Sequence, residues 1–346
     1  MLNVGVIGVG VIGKAHLQAY LAQRNVKVVA ICDIDERELK ATADKFKIEN
    51  CFVDYNDLLS LEEIDAVSVC TPPFNHSSIT CDAAAAETHV LCEKPMAVDA
   101  NEAKKMVEAC REAGVKLGIC TARIRFDPAV EMAKRYISEG KLGKIYYVRV
   151  SSYRRRGRPG IDILVNSKWF LDSSKAGGGA LIDIGCYDVD MMLYLLDNPQ
   201  PHAVSAFTFK GIEDPPKIRT EFDVEEHASV LVRFTTGQVA MFETAWASNL
   251  ESHWNAMILG SKGGLRLNPF TYYARRKGEQ IALTVDLSKK KATTSRMHLL
   301  IKDFVSACSR DRIPKTPAEE GLNVMEIITA AYESARLGKE VVLYPV

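Results

Sequence analysis

Residues Gly8-Val9-Gly10-Val11-Ile12-Gly13 follow a short apolar run, Asn3 to Ile7, and open a stretch with Ala15, Leu17, Ala19, Tyr20 and Leu21 at helical spacing. A glycine pattern in that setting serves phosphate binding. The first glycine permits a tight turn, the second lets a pyrophosphate approach the backbone, and the third lets helix and strand pack closely. Helix-start N–H groups, among them those of Val11, Ile12 and Gly13, then face the phosphates. A second apolar run, Val26 to Cys32, ends at Asp33, where a carboxylate can accept both hydroxyls of an adenosine ribose and would repel a 2′-phosphate. Neither Asp33 nor Ile34 is the arginine or serine usual at an NADP corner. Arg37 lies within reach, but the ribose argument favours NAD over NADP.

Two further segments leave apolar runs where ligands of an open parallel sheet collect. Thr71-Pro72-Pro73-Phe74-Asn75-His76 follows Cys70, and its prolines forbid an immediate helix. Glu93-Lys94-Pro95 follows Cys92. A lysine partly desolvated beside a nicotinamide could have its pKa lowered enough to exchange a proton with a substrate hydroxyl; a plain surface ion pair is the alternative. Arg123, after a fifth apolar run, could reach cofactor or substrate. His76, at a helix start behind the nicotinamide position, suits capping or support better than proton transfer.

These residues need a scaffold, and the first third supplies the pattern of one. Apolar runs at Asn3 to Ile7, Val26 to Cys32, Ala66 to Cys70, His89 to Cys92 and Lys116 to Cys120 alternate with helical stretches at Arg37 to Phe46, His76 to Ala86 and Asn101 to Ala113. Asp99 and Glu102 form a capping pair ahead of the last. The rhythm is that of strand-helix units in a doubly wound parallel sheet. After Thr121 it changes: a helix over Ala129 to Ser138, a strand over Lys144 to Tyr153, then successive strands from Ala203 to about Leu283, as in an antiparallel sheet. Helices return at Met297 to Ser309 and Glu319 to Leu337, before a last apolar run, Glu340 to Tyr344. The length, 346 residues, suits two domains, set here at 1–122 for dinucleotide binding and 123–346 for substrate.

Forty-four basic and 44 acidic side chains cancel, so nothing global favours nucleic acid or an anionic membrane. The nine cysteines are odd in number and contain no Cys-x-x-Cys pair, the usage of a reduced, cytoplasmic protein. The opening residues lack a basic leader, and no apolar run is long enough to span a bilayer. No histidine has metal-ligand spacing with neighbouring acids or cysteines, so no metal is expected.

The glycine fingerprint, Glu93-Lys94-Pro95, the run Gly177-Gly178-Gly179-Ala180-Leu181-Ile182-Asp183-Ile184-Gly185, the segment Gly260 to Leu267 and the tail from Pro317 through Tyr332 to Leu343 together resemble the Gfo/Idh/MocA family across essentially the whole chain. The resemblance implies a Rossmann domain followed by an α/β domain with a large, mostly antiparallel open sheet. It implies that Lys94 bonds the reacting oxygen, that Glu93 and Thr71-Pro72 line the nicotinamide side, and that the Lys94–Pro95 bond is cis. It also implies a polyol or sugar substrate and a homodimer or homotetramer formed through the open sheet face.

Asp183 and Tyr187, four apart at the start of a helix, carry the family's second catalytic segment and share a helical face. Many members have histidine where Tyr187 stands; glucose-fructose oxidoreductase and dihydrodiol dehydrogenases resemble this chain in having tyrosine. A phenol titrates about three units above imidazole, at about 10. Either Tyr187 is a general acid whose pKa Lys94 lowers, or Lys94 handles the proton and Tyr187 orients the sugar. Tyr153 and Trp169 are candidate sugar contacts, Trp169 by stacking. The run Tyr153-Arg154-Arg155-Arg156-Gly157-Arg158 could hold a phosphate or carboxylate, or form a solvated loop or subunit contact. The leading function is hydride transfer between a nicotinamide and a sugar, cyclitol or sugar derivative. The alternatives are an NAD-dependent redox-assisted glycosidase and a regulator that binds dinucleotide without turnover.

Overall fold

A computed structural model of the chain describes residues 1–213, 221–287 and 294–345. Contacts divide it into two compact units: Met1–Arg123 with Thr293–Leu322, and Ile124–Ala292 with Asn323–Val346.

The first unit alternates strand and helix: β1 Leu2–Ile7, α1 Val11–Leu21, β2 Val26–Cys32, α2 Glu36–Phe46, β3 Asn50–Phe52, α3 Tyr55–Leu59, β4 Ala66–Val69, α4 His76–Ala85, β5 His89–Cys92, α5 Ala100–Glu112 and β6 Leu117–Ile119. The strands form one parallel sheet in the order β3-β2-β1-β4-β5-β6. β4 is buried at every position, as a strand covered on both faces must be. Carboxylates start α2 and α5: Asp35 accepts the N–H groups of Arg37 and Glu38, and Asp99 accepts that of Glu102. The short pair β3 and α3, absent from the sequence expectation, supplies the sixth strand. Three residues with Cys51 and Phe52 carry too little apolar periodicity to stand out.

In the second unit, α6 Pro128–Ser138 precedes β7 Ile145–Tyr153, a single-turn α7 Ser173–Ala176, and α8 Cys186–Leu195. Asp127 caps α6 and Pro128 occupies its first turn. Seven strands follow: β8 Pro201–Phe209, β9 His227–Phe234, β10 Val239–Ala245, β11 His253–Gly260, β12 Gly263–Leu267, β13 Phe270–Arg276 and β14 Glu279–Thr284. The expected run of strands includes residues 214–220, which lie outside the described residues. Strand alternation is clear in β9, where Ala228, Val230, Val232 and Phe234 are buried and the residues between them are not. After β14 come α9 Arg296–Ser309, α10 Ala318–Leu337 and β15 Val341–Val342. The nine-stranded sheet runs β14-β13-β12-β11-β7-β10-β9-β8-β15 and is antiparallel except for the pair β7 and β10. Helix α9 packs on α1 in the first unit, burying Leu300, Ile301, Phe304 and Val305.

Candidate active site

In the first unit each glycine of the fingerprint has a distinct geometric duty. Gly8 has φ +87°, and a Cβ there would stand 2.8 Å from the Cys70 backbone. A Cβ on Gly13 would stand 1.9 Å from the Gly8 carbonyl oxygen. At Gly10 an added Cβ would meet nothing within 4 Å. The tight turn, the close packing and the open approach thus fall on the first, third and second glycines. No side chain caps α1, so its first N–H groups keep the partial positive charge that suits a phosphate. Val11, at that helix start, is exposed.

Asp33 closes the other side of this turn. Its Oδ2 accepts the Val9 N–H at 2.7 Å and its Oδ1 accepts the Asp35 N–H at 2.9 Å. The carboxylate therefore braces the glycine loop and remains at the strand end where a ribose would arrive. Ile34 beside it is exposed, and Arg37 lies in the first turn of α2. The residues present fit a dinucleotide: an uncapped helix start, space at Gly10 and an acidic β2 end.

The strand order brings the remaining candidates to one sheet edge. β4 lies between β1 and β5, so at about 4.8 Å per strand Lys94 leaves the sheet roughly 10 Å from the glycine turn. Thr71 and Pro72 follow β4, and the Thr71 Oγ1 is buried without a hydrogen-bond partner among the described residues. His76 is wholly buried; its Nδ1 lies 2.9 Å from the Pro95 carbonyl and its Nε2 2.8 Å from the Thr71 carbonyl. Burial works to lower its pKa, against the two carbonyls, which favour the doubly protonated ring. His76 thus braces the loops after β4 and β5 against each other.

Glu93 is 3% exposed. Its Oε1 lies 3.1 Å from His16 Nε2 and 3.4 Å from Arg123 Nη1, while its Oε2 accepts the Lys94 N–H at 2.9 Å. Burial alone would raise its pKa, but the Arg123 guanidinium and then His16 hold it well below the usual carboxylate range. Lys94 is half-buried and the Lys94–Pro95 bond is cis. His16, Glu93 and Cys120 also bring three possible metal ligands within 4.8 Å of one another. The guanidinium on Glu93, and burial that pushes the Cys120 thiol well above its ordinary value, disfavour a cation there.

The second unit builds the Asp183 segment from a clamp. Gly178 has φ +155°, and a Cβ on it would stand 2.1 Å from the Tyr332 hydroxyl oxygen; one on Gly179 would stand 2.0 Å from the Glu225 carbonyl oxygen. The buried Glu225 carboxylate accepts the N–H groups of Gly179 and Leu181, each at 2.8 Å, and the Tyr332 hydroxyl donates to it at 3.0 Å. The chain then makes one π-helical turn, Leu181–Gly185, before α8 begins. Asp183 lies in that turn, 6% exposed, and its Oδ2 accepts the indole N–H of the wholly buried Trp246 at 2.8 Å. Tyr187, half-buried, is the second residue of α8. The regular helix expected through both residues is therefore a π-turn joined to an α-helix, a form frequent at functional sites.

Behind Tyr187, Arg125 grips Asp190 with two bonds of 2.7 and 3.0 Å, both residues fully buried, and so holds α8. Asp188 accepts the Trp254 indole N–H at 3.0 Å; burial pushes its carboxyl up to about 7 against that bond. Tyr153 is not brought to this group. It pairs across the sheet with Ala245 and His253, whereas Thr244, on the opposite face, approaches Gly185. Its ring stacks on His227 and meets His253 edge-on at 4.7 Å. Trp169 is half-buried and stacks on Phe170 at 3.7 Å. In the arginine run, Arg158 is buried and pairs with Asp162 and Glu226, while Arg154 and Arg156 bond carbonyls at Gly157 and Ser248. They pin the loop.

Residues 2–120 match a family model described as oxidoreductase family, NAD-binding Rossmann fold, and residues 130–266 match the GFO/IDH/MocA C-terminal domain. D-glucoside 3-dehydrogenase of Escherichia coli (strain K12) is 29% identical over 356 residues, spanning 99% of this chain and 97% of that protein. Levoglucosan dehydrogenase of Pseudarthrobacter phenanthrenivorans is 31% identical over 321 residues, spanning 84% and 78%. A solved levoglucosan dehydrogenase in complex with NADH and L-sorbose superposes with a TM-score of 0.87 at 26% identity, over 100% of this chain and 99% of that one.

Proposed function

The chain belongs to the Gfo/Idh/MocA family of oxidoreductases, and from that premise we propose that it oxidises a ring hydroxyl of a glycoside or anhydrosugar with NAD, using Lys94, Asp183 and Tyr187. As an NAD(P)-dependent dehydrogenase of sugars and cyclitols it moves a hydride between the nicotinamide and a hydroxyl-bearing carbon. The observation that carries the residue assignment is the adjacency of β1, β4 and β5, which lines up the glycine turn, Thr71-Pro72 and Glu93-Lys94 along one sheet edge.

The bound nicotinamide supplies the hydride acceptor. Lys94 bonds the reacting oxygen and stabilises the negative charge that gathers on it as the hydroxyl proton leaves and that flows into the new carbonyl as the hydride departs. Tyr187, entering as the phenolate that the Lys94 ammonium favours, takes the hydroxyl proton and becomes the neutral phenol, and Asp183, fixed by Trp246, orients the sugar; a hydride and a proton thus leave the substrate and a carbonyl remains. Arg123 and Glu93 hold the lysine turn, and Trp169 offers a ring face to the sugar. Asp33 selects NAD by accepting the ribose hydroxyls. Support for this reading comes from the two relatives named for glucoside and levoglucosan oxidation.

The cysteines carry no disulfide, which agrees with a cytoplasmic location, and no helix among the described residues is long and apolar enough to cross a membrane. One face of the nine-stranded sheet leaves Phe207, Leu259 and Tyr273 exposed among polar neighbours such as the Arg149–Glu243 pair, a mixed surface suited to a second copy of the chain.

The test is a screen of methyl glucosides, levoglucosan, inositols and aldoses for reduced-nicotinamide absorbance, with NAD and NADP in parallel. NADH formed from a glucoside or anhydrosugar is expected. Chromophore release from aryl glycosides without absorbance change, or dinucleotide binding with no turnover of any sugar, would overturn the reading.

A further inference from the structure

A line of buried polar groups runs through the first unit from the dinucleotide helix to the lysine turn. The Tyr20 hydroxyl lies 2.8 Å from Ser68 Oγ, Ser68 Oγ lies 3.0 Å from His16 Nδ1, and His16 Nε2 lies 3.1 Å from Glu93 Oε1. Glu93 Oε2 then receives the Lys94 N–H. Tyr20, Ser68 and His16 are wholly inaccessible. One assignment of protons satisfies every member: Tyr20 donates to Ser68, Ser68 donates to Nδ1, and Nε2–H donates to the carboxylate. A polar line of this kind stabilises a core no better than apolar side chains of equal volume. What it supplies is position.

We propose that His16 is a positioning residue for Lys94, tying α1, which begins at the phosphate cradle, to the turn that carries the lysine. His16 stands three residues past Gly13 on α1 and reaches to the carboxyl end of β5. It holds one oxygen of Glu93, Arg123 lies against the same oxygen, and the second oxygen takes the lysine's own backbone amide. On the far side of the turn His76 holds the Pro95 carbonyl. Removing the His16 contact therefore leaves the amide end of the turn held through Arg123 alone, while its carbonyl end stays braced. The inference rests on the assignment of Lys94 to the substrate oxygen for its catalytic consequence, but not for its structural one.

The test uses the full chain and two readouts. The first is amide hydrogen exchange in the peptide from Glu93 to Met96, where Pro95 contributes no amide. In His16→Phe, loss of a bond to a charged group should speed exchange at Lys94 by about tenfold or more, with β2 peptides unchanged. The second is turnover of whichever sugar the wild type oxidises. Misplacement of the lysine should lower kcat by about 10- to 100-fold while KM for NAD stays within about threefold. His16→Gln, whose amide can both donate to Glu93 and accept from Ser68, should restore both readouts. Should His16→Phe fail to fold, Ser68→Ala leaves the carboxylate bond but unfixes the ring, and a smaller rise in Lys94 exchange is expected. Unchanged Lys94 exchange in these variants would overturn the proposal. A wild type that oxidises no sugar would instead overturn the functional reading, and the exchange result would still decide the positioning role.

Discussion

Asp33 holds its own protein before it meets a ligand, because its two oxygens take the N–H groups of Val9 and Asp35. Asp33→Ala should therefore do more than relax ribose selection. Fluorescence titration should show NADH affinity falling by about 10- to 100-fold and NADPH affinity falling less, so that the preference narrows. Gly10 allows a cleaner separation of fold from function. With nothing within 4 Å of its missing Cβ, Gly10→Ala should keep the wild-type Tm and lose dinucleotide binding, whereas Gly13→Ala should lose stability as well. Asp188 is a residue whose protonation bears on stability near neutral pH. Its Oδ2 has no hydrogen-bond partner among the described residues, and burial, opposed by the Trp254 bond, pushes its carboxyl up to about 7. The folded state therefore binds this proton more tightly than the unfolded chain, so stability falls as pH rises from about 4 towards 7 and stays lower above it. Asp188→Asn, which keeps the acceptor for Trp254, should raise Tm by several degrees at pH 8 and change it little near pH 4. A lower Tm at pH 8 would contradict the assignment.

The π-turn carrying Asp183 depends on Glu225 and Tyr332, which are distant in sequence. Because Gly178 has positive φ and the Tyr332 hydroxyl fills the space of its Cβ, Gly178→Ala should destabilise the second unit by about 2 kcal/mol or more, measured by denaturant melts. Tyr332→Phe should cost about 1 kcal/mol by removing one bond to Glu225. Elements of this kind divide by how legible they are. The glycine fingerprint, the capped helices α2 and α5 and the alternating strands of the large sheet declare themselves through local periodicity and caps. The short β3 is invisible because three residues make no pattern. The packing of α9 on α1 is invisible for another reason: an amphipathic face says that a helix packs, not against which partner. The same limit governs the site. Lys94, Asp33 and Asp183 stand in motifs, but Trp246, Arg125 and His16 act through long-range contacts, and only their burial in the folded chain reveals them. Tyr153 illustrates the period of two, since a one-residue difference from Ser152 turns a candidate sugar contact to the opposite sheet face.

At the level of the whole molecule, the chain completes its first unit late, with Thr293–Leu322, so neither unit is a continuous segment. Unfolding of the first unit should then require release of α9 from α1, and truncation after β14 should destabilise the dinucleotide-binding part although every strand of its sheet lies earlier. The exposed face of the nine-stranded sheet predicts self-association. Leu259→Arg combined with Tyr273→Glu, both at exposed positions, should shift light-scattering mass to the monomer without lowering dinucleotide affinity. The chemistry assigned to the chain as a whole stands on Lys94. The decisive measurement is single-turnover formation of NADH from a glucoside or anhydrosugar by wild type and Lys94→Ala, with NADH affinity determined on the same samples. Loss of about three orders of magnitude in rate at unchanged affinity is the predicted result; full turnover by Lys94→Ala would contradict it.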